Sequence, residues 1–414
     1  MLQSLEEGEE GRAHRVDIGR ESNRNNVRWN LRASSMSHPA NEPILGYEPG
    51  SQERESLQSE IDRQMAEIIE IPCIINGEEV YTGVTVPQLI PHNHGHVLAN
   101  VHLAGRDEME AACAAAVAAQ QEWIDLGLEG RCAIFERCAD LLAGDWRMKV
   151  NASTMLNQSK TAFQAEIDAA CELIDFWRFN CHYARGFHDD FQPLVSPEGV
   201  KNSTEIRPLE GFVLAITPFN FTSIAANLPS APAIVGCTSI WKASRNSYHS
   251  NYVLMQLMME AGLPPGVINF LPGSGADITE VALANPDFAG LHFTGSTATF
   301  QGLWQEIGLA LPNLRSYPRI VGETGGKDFV VAHPECDRQG LLVALLRGAF
   351  EYQGQKCSAA SRAYIPRSVW TAISEDLCSE IGKIKMGDAR DFTNFMTAVI
   401  DQRSFDKITG YIER

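Results

Sequence analysis

The chain has 414 residues, 44% of them hydrophobic, which is long and apolar enough for two or three domains with a large core. Its formal net charge of −18 argues against nucleic acids and anionic membranes as partners, because both bind to broad basic surfaces. No stretch reaches the roughly 18 consecutive apolar residues of a membrane-spanning helix. We therefore predict no nucleic-acid and no membrane partner.

The ten cysteines include no C-x-x-C pair and no Cys/His spacing that suits zinc, so no metal site is predicted. Cysteines scattered through apolar helical patterns are typical of reduced intracellular proteins. Their even number leaves a secreted disulfide framework open as the alternative.

Residues 1–40 are predicted to form a disordered tail or a targeting segment. Residues 1–10 are acidic, which a mitochondrial presequence avoids, whereas residues 12–33 carry six arginines among few acids, which a presequence favours. Met36 is an alternative start of the protein. The N-terminus therefore leaves both a mitochondrial and a cytoplasmic location open.

From residue 41 to residue 210 the pattern predicts helices and one hairpin. Asn76-Gly77 between two short apolar runs, Ile71–Ile75 and Glu79–Thr82, is typical of a two-residue β-hairpin turn. Asp107 and Glu110 resemble a capping box at the start of an alanine-rich helix that runs to about Trp123. Further predicted elements are helices at 51–70, 130–143 and 161–185, a loop at 186–199 and a strand at 203–206.

From residue 211 short apolar runs alternate with helical stretches. The predicted strands are Gly211–Thr217, Thr238–Lys242, Val267–Phe270, Gly290–Phe293 and Asp328–Ala332, and the predicted helices are 222–235, 247–262, 277–284 and 338–351. Buried strands that alternate with helices indicate a parallel α/β sheet of the Rossmann type.

Cys357 and Glu323 are the candidates for covalent chemistry. Cys357 lies in a polar run beside Gly354, and Glu323 precedes a second run with Gly325 and Gly326. A thiolate can add to a carbonyl carbon, and a carboxylate can activate the water that releases the product. The alternatives are a small buried cysteine and a surface glutamate before a turn.

Polar residues also follow three of the predicted strands. Asn220 could donate to an oxyanion or cap the next helix. Lys242 could pair with ribose or phosphate oxygens, or it could be a solvated lysine. Gly295 and Ser296 could hold a pyrophosphate at a helix start, or they could form an ordinary turn between strand and helix.

Six motifs, taken together and in this order, resemble the aldehyde dehydrogenase superfamily. They are P-F-N-F at 218–221, W-K-A-S at 241–244, G-L-P-P-G-V-I-N at 262–269, F-T-G-S at 293–296, E-T-G-G-K at 323–327 and G-Q-K-C at 354–357. The resemblance implies an α/β fold with a Rossmann-type NAD(P)-binding domain at 41–322, which includes N-terminal helices and a bridging segment near 186–210. It implies that 323–414 is the N-terminal part of an α/β catalytic domain.

Finer features resemble one branch of this superfamily, the delta-1-pyrroline-5-carboxylate dehydrogenases, which oxidise glutamate γ-semialdehyde to glutamate in proline catabolism. These features are Gln164–Ala170, Ile174–Asn180, Ala349–Tyr352 and Phe300. The resemblance implies a small aldehyde substrate, NAD as cofactor, a homo-oligomer and a location in the mitochondrial matrix.

The resemblance also implies a role for each site residue. Cys357 attacks the aldehyde carbon, while Asn220 and the backbone N–H of Cys357 stabilise the oxyanion. A hydride passes to the nicotinamide and leaves a thioester, which is hydrolysed by water that Glu323 activates. The implied cofactor-binding residues are Thr217, Lys242, Ser244, Gly295, Ser296, Thr297, Ala298 and Thr299, and the implied substrate contacts are Ser358 and Glu166.

Two features depart from the family's pattern. Arg245 stands three residues after Lys242, where NAD-preferring relatives commonly carry an acid, so NADP is the alternative cofactor. The E-x-F-G-P motif of the family does not occur in the 414 residues, so we expect exposed apolar faces in the catalytic part. The alternatives to an active enzyme are a chain that only binds nucleotide or pairs with a full-length subunit, and a hydrolytic cysteine enzyme with a histidine partner.

Overall fold

The structure, a computed structural model, describes residues 38–414 apart from the side chains of residues 188 and 189. The predictions for the tail and for a start at Met36 therefore fall almost entirely outside the described residues.

The helices are α1 (Gln52–Met65), α2 (Arg106–Asp125), α3 (Gly127–Ala143), α4 (Arg147–Gln158), α5 (Ala162–Ala165), α6 (Glu172–Asp190), α7 (Thr222–Ile234), α8 (Tyr248–Glu260), α9 (Gly275–Ala284), α10 (Thr297–Ala310), α11 (Arg338–Phe350), α12 (Arg367–Gly382) and α13 (Gln402–Ile412). The strands are β1 (Ile69–Ile71), β2 (Cys73–Ile75), β3 (Glu78–Val80), β4 (Thr85–Ile90), β5 (Asn93–His102), β6 (Phe212–Ile216), β7 (Thr238–Lys242), β8 (Ile268–Leu271), β9 (Phe288–Thr294), β10 (Arg319–Glu323), β11 (Phe329–Val331) and β12 (Arg362–Tyr364).

A seven-stranded sheet with the order β10-β9-β6-β7-β8-β2-β3 forms the centre of the fold. Strands β6 to β10 pair in parallel, and the β2–β3 hairpin adds antiparallel strands at the edge beside β8. The chain moves outward from β6 to β8 and then returns to the other side of β6 for β9 and β10. This change of direction is the switch point at which open α/β sheets bind ligands. The predicted parallel α/β fold is confirmed.

Helices cover both faces of this sheet because its central strands are apolar on both sides. Trp241 and Phe270 face one hydrophobic cluster, to which α3, α6, α7 and α8 contribute. Leu214 and Ile240 face the other cluster, to which α2, α9 and α10 contribute. The sheet is therefore a rigid support whose carboxyl edge carries the loops that follow β6 to β10.

Two smaller sheets complete the fold. The order β1-β5-β4 forms a three-stranded sheet, and β11 pairs with β12 in parallel. The side chains of Phe329, Val331 and Tyr364 on β11 and β12 are more than half exposed, as expected for apolar faces in this part of the chain. No helix within residues 38–414 is long and apolar enough to cross a membrane.

The predicted hairpin is confirmed, with Asn76 and Gly77 at φ values of 52° and 78° between β2 and β3. Three other predictions are wrong. Helix α2 begins at Arg106, where the Glu108 carboxylate accepts from the Gly105 N–H at 2.8 Å, so Glu110 is not the capping acid. The helix expected at 161–185 is interrupted by a π-helical turn at Glu166–Cys171. Residues 203–206 form no strand.

Eight elements were not predicted, namely α4, α12, α13, β1, β4, β5, β10 and β12. Helix α4 mixes polar and apolar residues, yet every residue from Val150 to Gln158 is buried, so its pattern gives no amphipathic period. Residues 39–414 form one compact unit, and the domain limits at 41, 322 and 323 stay predictions.

Candidate active site

The predicted site segments follow the carboxyl ends of neighbouring strands. Thr217 follows β6, Lys242 ends β7, Gly295 follows β9 and Glu323 ends β10. The register pairs Ile216 with Lys242 and places Glu323 beside Thr294, so these ends are level with one another. They line one edge of the sheet, on both sides of the switch point.

Cys357 reaches this edge from a loop after α11. Its Sγ lies 3.6 Å from Oε1 of Glu323, to which the thiol donates. Both residues line a cavity of about 550 Å³ at the carboxyl end of β9 and β10. Burial, followed by the nearby charge of Glu323, raises the pKa of Cys357 above that of an ordinary thiol. A nucleophile and a carboxylate therefore face the same space.

The Cys357 loop, residues 351–358, has an unusual backbone. Tyr352, Gln353 and Gly354 adopt left-handed conformations with φ values of 51°, 56° and 68°. For the two residues with side chains this conformation costs about 1–3 kcal/mol each, so other contacts must hold it. The buried Tyr352 hydroxyl donates to the Gln158 carbonyl at 2.9 Å, and the Gln353 amide donates to the Ala398 carbonyl at 2.6 Å.

Asn220 connects this loop to the loop after β6. Its Nδ2 donates to the backbone carbonyl of Gln355 at 2.9 Å. An amide nitrogen carries two hydrogens, so this bond leaves a second N–H for a ligand. The alternative that Asn220 caps α7 is wrong, because the N-cap residue of α7 is Phe221.

The turn before α10 exposes the N-terminal end of a helix. Ser296 is the N-cap of α10, and its hydroxyl accepts from the Thr299 N–H at 3.2 Å. Residues 296–299 are exposed, so the N-terminal end of the helix opens to solvent beside the switch point. The partial positive charge of a helix N-terminus favours phosphate groups there. The Ser296 hydroxyl is engaged in the helix cap, so the backbone N–H groups are the donors that this end of the helix could offer to an anion.

Lys242 lies near the start of α9. Its Nζ is 3.8 Å from the position that a Cβ would take on Gly275, an ordinary van der Waals distance, so the ammonium group packs against the first residue of α9. Burial, with a smaller contribution from Arg245, lowers the pKa of Lys242 to about 8. The sequence analysis did not single out Gly275 as a neighbour of Lys242.

Thr217 and Ser244 support this edge from within the fold. The buried Thr217 hydroxyl accepts from Trp241 Nε1 at 3.1 Å, and the Thr217 N–H donates to the Lys242 carbonyl. Ser244 is half-buried in the turn before α8. A desolvated ammonium group and an open helix N-terminus on one edge fit the anionic phosphates of a dinucleotide.

The two predicted substrate residues lie in different places. Ser358 is exposed and lines the same cavity as Cys357 and Glu323. Glu166 is fully buried and lines neither cavity that contains Cys357. The carboxylate of Glu166 accepts hydrogen bonds from Leu45 N, Tyr47 Oη, Asn151 Nδ2 and the guanidinium of Arg147.

This bonding explains why the structure separates Glu166 from Cys357. Burial alone would raise the pKa of Glu166, but donation from Arg147, Leu45 and Tyr47 lowers it, so the carboxylate is held as a buried anion. Its contacts join α4 and the segment before α1 to the π-helical turn. The geometry therefore supports a structural ion pair rather than the predicted substrate contact.

Glu172 is the functional candidate that the sequence analysis missed. It lines the cavity of Cys357 together with Phe176 and His292. The pKa of Glu172 is raised to about 7, chiefly by burial and also by the charge of Asp168, while the Ser223 hydroxyl, which donates to the carboxylate at 2.5 Å, opposes the shift. Glu172 lies between the two helical motifs that carried the resemblance, but a single glutamate in a helix gives no sequence signal of burial.

Comparison with known proteins agrees with this architecture. The sequence profile of the Aldehyde dehydrogenase family matches residues 81–414. The delta-1-pyrroline-5-carboxylate dehydrogenase of Agaricus bisporus is 46% identical over 377 residues, which cover 91% of this chain and 69% of that relative. The mitochondrial delta-1-pyrroline-5-carboxylate dehydrogenase of Homo sapiens is 42% identical over 388 residues, which cover 94% of this chain and 68% of the relative.

Solved structures give the same result. The delta-pyrroline-5-carboxylate dehydrogenase from Mycobacterium tuberculosis, bound with NAD, superposes with a TM-score of 0.88 at 50% identity and covers 91% of this chain and 70% of its own. The 1-pyrroline-5-carboxylate dehydrogenase from Thermus with bound NAD has a TM-score of 0.86 at 27% identity. The match covers 92% of this chain and 73% of the Thermus chain. With its sheet, its six motifs and these relatives, the chain belongs to the aldehyde dehydrogenase family.

Proposed function

We propose that this chain oxidises glutamate γ-semialdehyde, formed from delta-1-pyrroline-5-carboxylate, to glutamate with NAD in proline catabolism. The observation that carries the proposal is the 3.6 Å contact between Cys357 Sγ and Glu323 Oε1 in a shared cavity. The substrate follows from the names of the relatives, which are 42–46% identical over at least 90% of this chain.

Cys357 acts as the nucleophile. The raised pKa favours the protonated thiol, whose proton passes to the Glu323 carboxylate, its hydrogen-bond acceptor, as Sγ attacks the aldehyde carbon. Glu323 then releases this proton to solvent and is again a carboxylate. The new bond between sulfur and carbon converts the carbonyl oxygen to an oxyanion. The free N–H of the Asn220 amide and the backbone N–H of Cys357 are the donors that stabilise it.

NAD, when bound, would supply the acceptor for the hydride of the tetrahedral carbon, and the acyl group would then stay on Cys357 as a thioester. Glu323 then takes a proton from a water molecule that attacks the thioester carbon. The bond between carbon and Sγ breaks, the carboxylic acid leaves, and Glu323 gives its proton to the departing thiolate, so Cys357 is again a thiol. Lys242 and the N–H groups at the start of α10 are the residues that hold the cofactor's anionic groups.

The same resemblance supports two further proposals. Several relatives, including the enzyme of Homo sapiens, carry the word mitochondrial in their names, which supports a location in the mitochondrial matrix, with the cytoplasm as the alternative. Membership in the family supports a homo-oligomer. Subcellular fractionation and light scattering would test these two proposals.

NADH formation with glutamate γ-semialdehyde tests the function directly. Wild type and Cys378→Ala, which replaces an exposed cysteine, should be equally active. Cys357→Ala should lose at least about a thousandfold in turnover but still bind NAD. An inactive wild type beside an active full-length relative would favour the alternative of a chain that only binds nucleotide. Turnover by Cys357→Ala would require another nucleophile.

A further inference from the structure

A buried cluster of charges lies behind the Cys357 loop. Asp168 Oδ2 is 2.5 Å from Lys160 Nζ and 2.8 Å from Lys356 Nζ. Lys160 is fully buried, Asp168 is 4% exposed, and the Lys356 side chain is 13% exposed. One carboxylate therefore holds two ammonium groups, and one of these belongs to the residue directly before Cys357.

The cluster contacts both loops that carry the proposed chemistry. Lys160 Nζ lies 4.5 Å from the centre of the Phe221 ring and 4.3 Å from that of the Tyr352 ring. Phe221 follows Asn220, and Tyr352 starts the left-handed stretch of the Cys357 loop. The ring face attracts a desolvated ammonium group electrostatically. Lys160 therefore fixes the two loops relative to each other.

Asp168 lies in the π-helical turn Glu166–Cys171, which separates α5 from α6. Such turns within helices occur frequently at functional sites. Here the turn directs Asp168 into the interior beneath the Cys357 loop, while α6 continues beyond it with Glu172 in the cavity of Cys357. The π-helical turn therefore contributes a residue to the ion cluster beneath the Cys357 loop.

Asp168 is the group that makes the cluster electrostatically possible. Burial lowers the pKa of Lys160, and the charge of Lys356 lowers it further, whereas Asp168 opposes both effects. Lys356 has a second partner, since its Nζ is 3.5 Å from Oε2 of Glu351. Without Asp168, a buried cation would face a second cation with no carboxylate between them.

We infer that Asp168 is a positioning residue, which holds Cys357 in reach of Glu323 and Asn220 through Lys356 and Lys160. This inference rests on the proposed role of Cys357 and extends it to a residue that is 189 positions away in the chain. Asp168 itself lines neither cavity that contains Cys357, so it acts through the lysines rather than on the substrate.

Substitutions at two positions separate positioning from folding. Asp168→Asn removes the shared carboxylate but leaves Lys160 buried without it, which could prevent folding. Lys356→Met removes the ion pairs of Lys356 with Asp168 and Glu351 but keeps the Lys160–Asp168 pair, and Lys356→Arg keeps the charge. Glu380→Gln is the matched control, because it breaks the exposed Lys383–Glu380 pair of 2.7 Å.

The readouts are kcat and KM for NAD, and the rate at which iodoacetamide alkylates Cys357, followed by peptide mass spectrometry. Lys356→Met should lower kcat by about tenfold, with KM for NAD changed by less than about threefold. It should also change the alkylation rate by more than about threefold, and Lys356→Arg should restore most of both values. Asp168→Asn, if it folds, should have the larger effect, and Glu380→Gln should match wild type.

Wild-type kcat and alkylation rates in folded Lys356→Met would overturn the inference. So would a loss in which Lys356→Arg restores neither value, because the charge would then not be what matters. The alkylation assay needs neither aldehyde nor NAD. It therefore still tests the position of Cys357 if wild type makes no NADH, an outcome that would count against the proposed function instead.

Discussion

The backbone carbonyl oxygen of Cys357 lies 1.8 Å from the position that a Cβ would take on Gly326. Real Cβ atoms do not approach other atoms within 3.0 Å, so no side chain fits here without displacing the backbone of the Cys357 loop. Gly326 follows Glu323 by three residues. The missing side chain therefore allows the E-T-G-G-K and G-Q-K-C runs to bring a carboxylate and a thiol together.

Gly326→Ala should separate Cys357 from Glu323. We expect kcat to fall by about a hundredfold, because displacements of about 1 Å in an active site have effects of this size. The matched control is Gly325→Ala, since a Cβ on Gly325 meets nothing within 4 Å. Steady-state NADH formation measures both variants, and equal activity of the two would contradict the role given to Gly326.

Glu323→Gln should slow the release of the acyl group more than its formation. The amide cannot take a proton from water, so NADH should appear in a rapid first turnover that is followed by a rate about a hundredfold below wild type. Stopped-flow absorbance measures the two phases. Glu335→Gln, at an exposed position, is the control. An unchanged steady rate would remove Glu323 from the hydrolytic step.

The reactivity of Cys357 should depend on pH in a way that Glu323 controls. Burial and the charge of Glu323 raise the pKa of the thiol, so its thiolate form should become populated only above the pH range of an ordinary cysteine. Glu323→Gln removes a negative neighbour, which lowers this pKa and moves the alkylation profile to lower pH. The rate of alkylation by iodoacetamide, measured from about pH 6 to pH 10, gives this profile, because the range brackets the pKa of an ordinary thiol. A shift to higher pH in the variant would contradict this electrostatic account.

The buried pair of Arg147 and Glu166 should matter for stability rather than for the substrate. Arg147→Met leaves an unpaired buried carboxylate, so the free energy of unfolding should fall by about 3–5 kcal/mol. Arg63→Met, which breaks an exposed pair with Glu60, should cost about 0–1 kcal/mol. Urea denaturation measures both. If Arg147→Met instead raised KM for the aldehyde at unchanged stability, Glu166 would belong to the substrate site.

Arg245 should weaken the preference for NAD. It is exposed directly after the W-K-A-S run, and its neighbour Asn246 donates to Asp401 at 2.9 Å, which fixes this turn. Arg245→Glu introduces a carboxylate that accepts from a ribose 2′-hydroxyl and repels a 2′-phosphate. The ratio of kcat/KM for NAD over NADP should rise by about tenfold. An unchanged ratio, equal to that of Arg367→Glu on α12, would show that Arg245 does not face the cofactor.

Much of the architecture was predictable because its signals are local. Short apolar runs predicted β6 to β9 within a few residues, and Asn76-Gly77 predicted the hairpin, since both depend on neighbouring residues alone. Helix α4 and the π-helical turn were missed. Their residues are buried because of what other segments place around them, and the residue pattern does not record that.

The sequence by itself determined the parallel α/β class, the order of the motifs along the sheet edge and the choice of Cys357 and Glu323, since strand pattern and turn chemistry are properties of the local chain. The tertiary structure decided which side chains meet. The Cys357–Glu323 contact, the Asn220–Gln355 bond and the Lys356–Asp168 pair each join residues that are far apart in sequence. It also gave Glu166 a buried arginine instead of a place beside Cys357. Such pairings depend on how helices and loops pack against the sheet, which no short stretch of residues encodes.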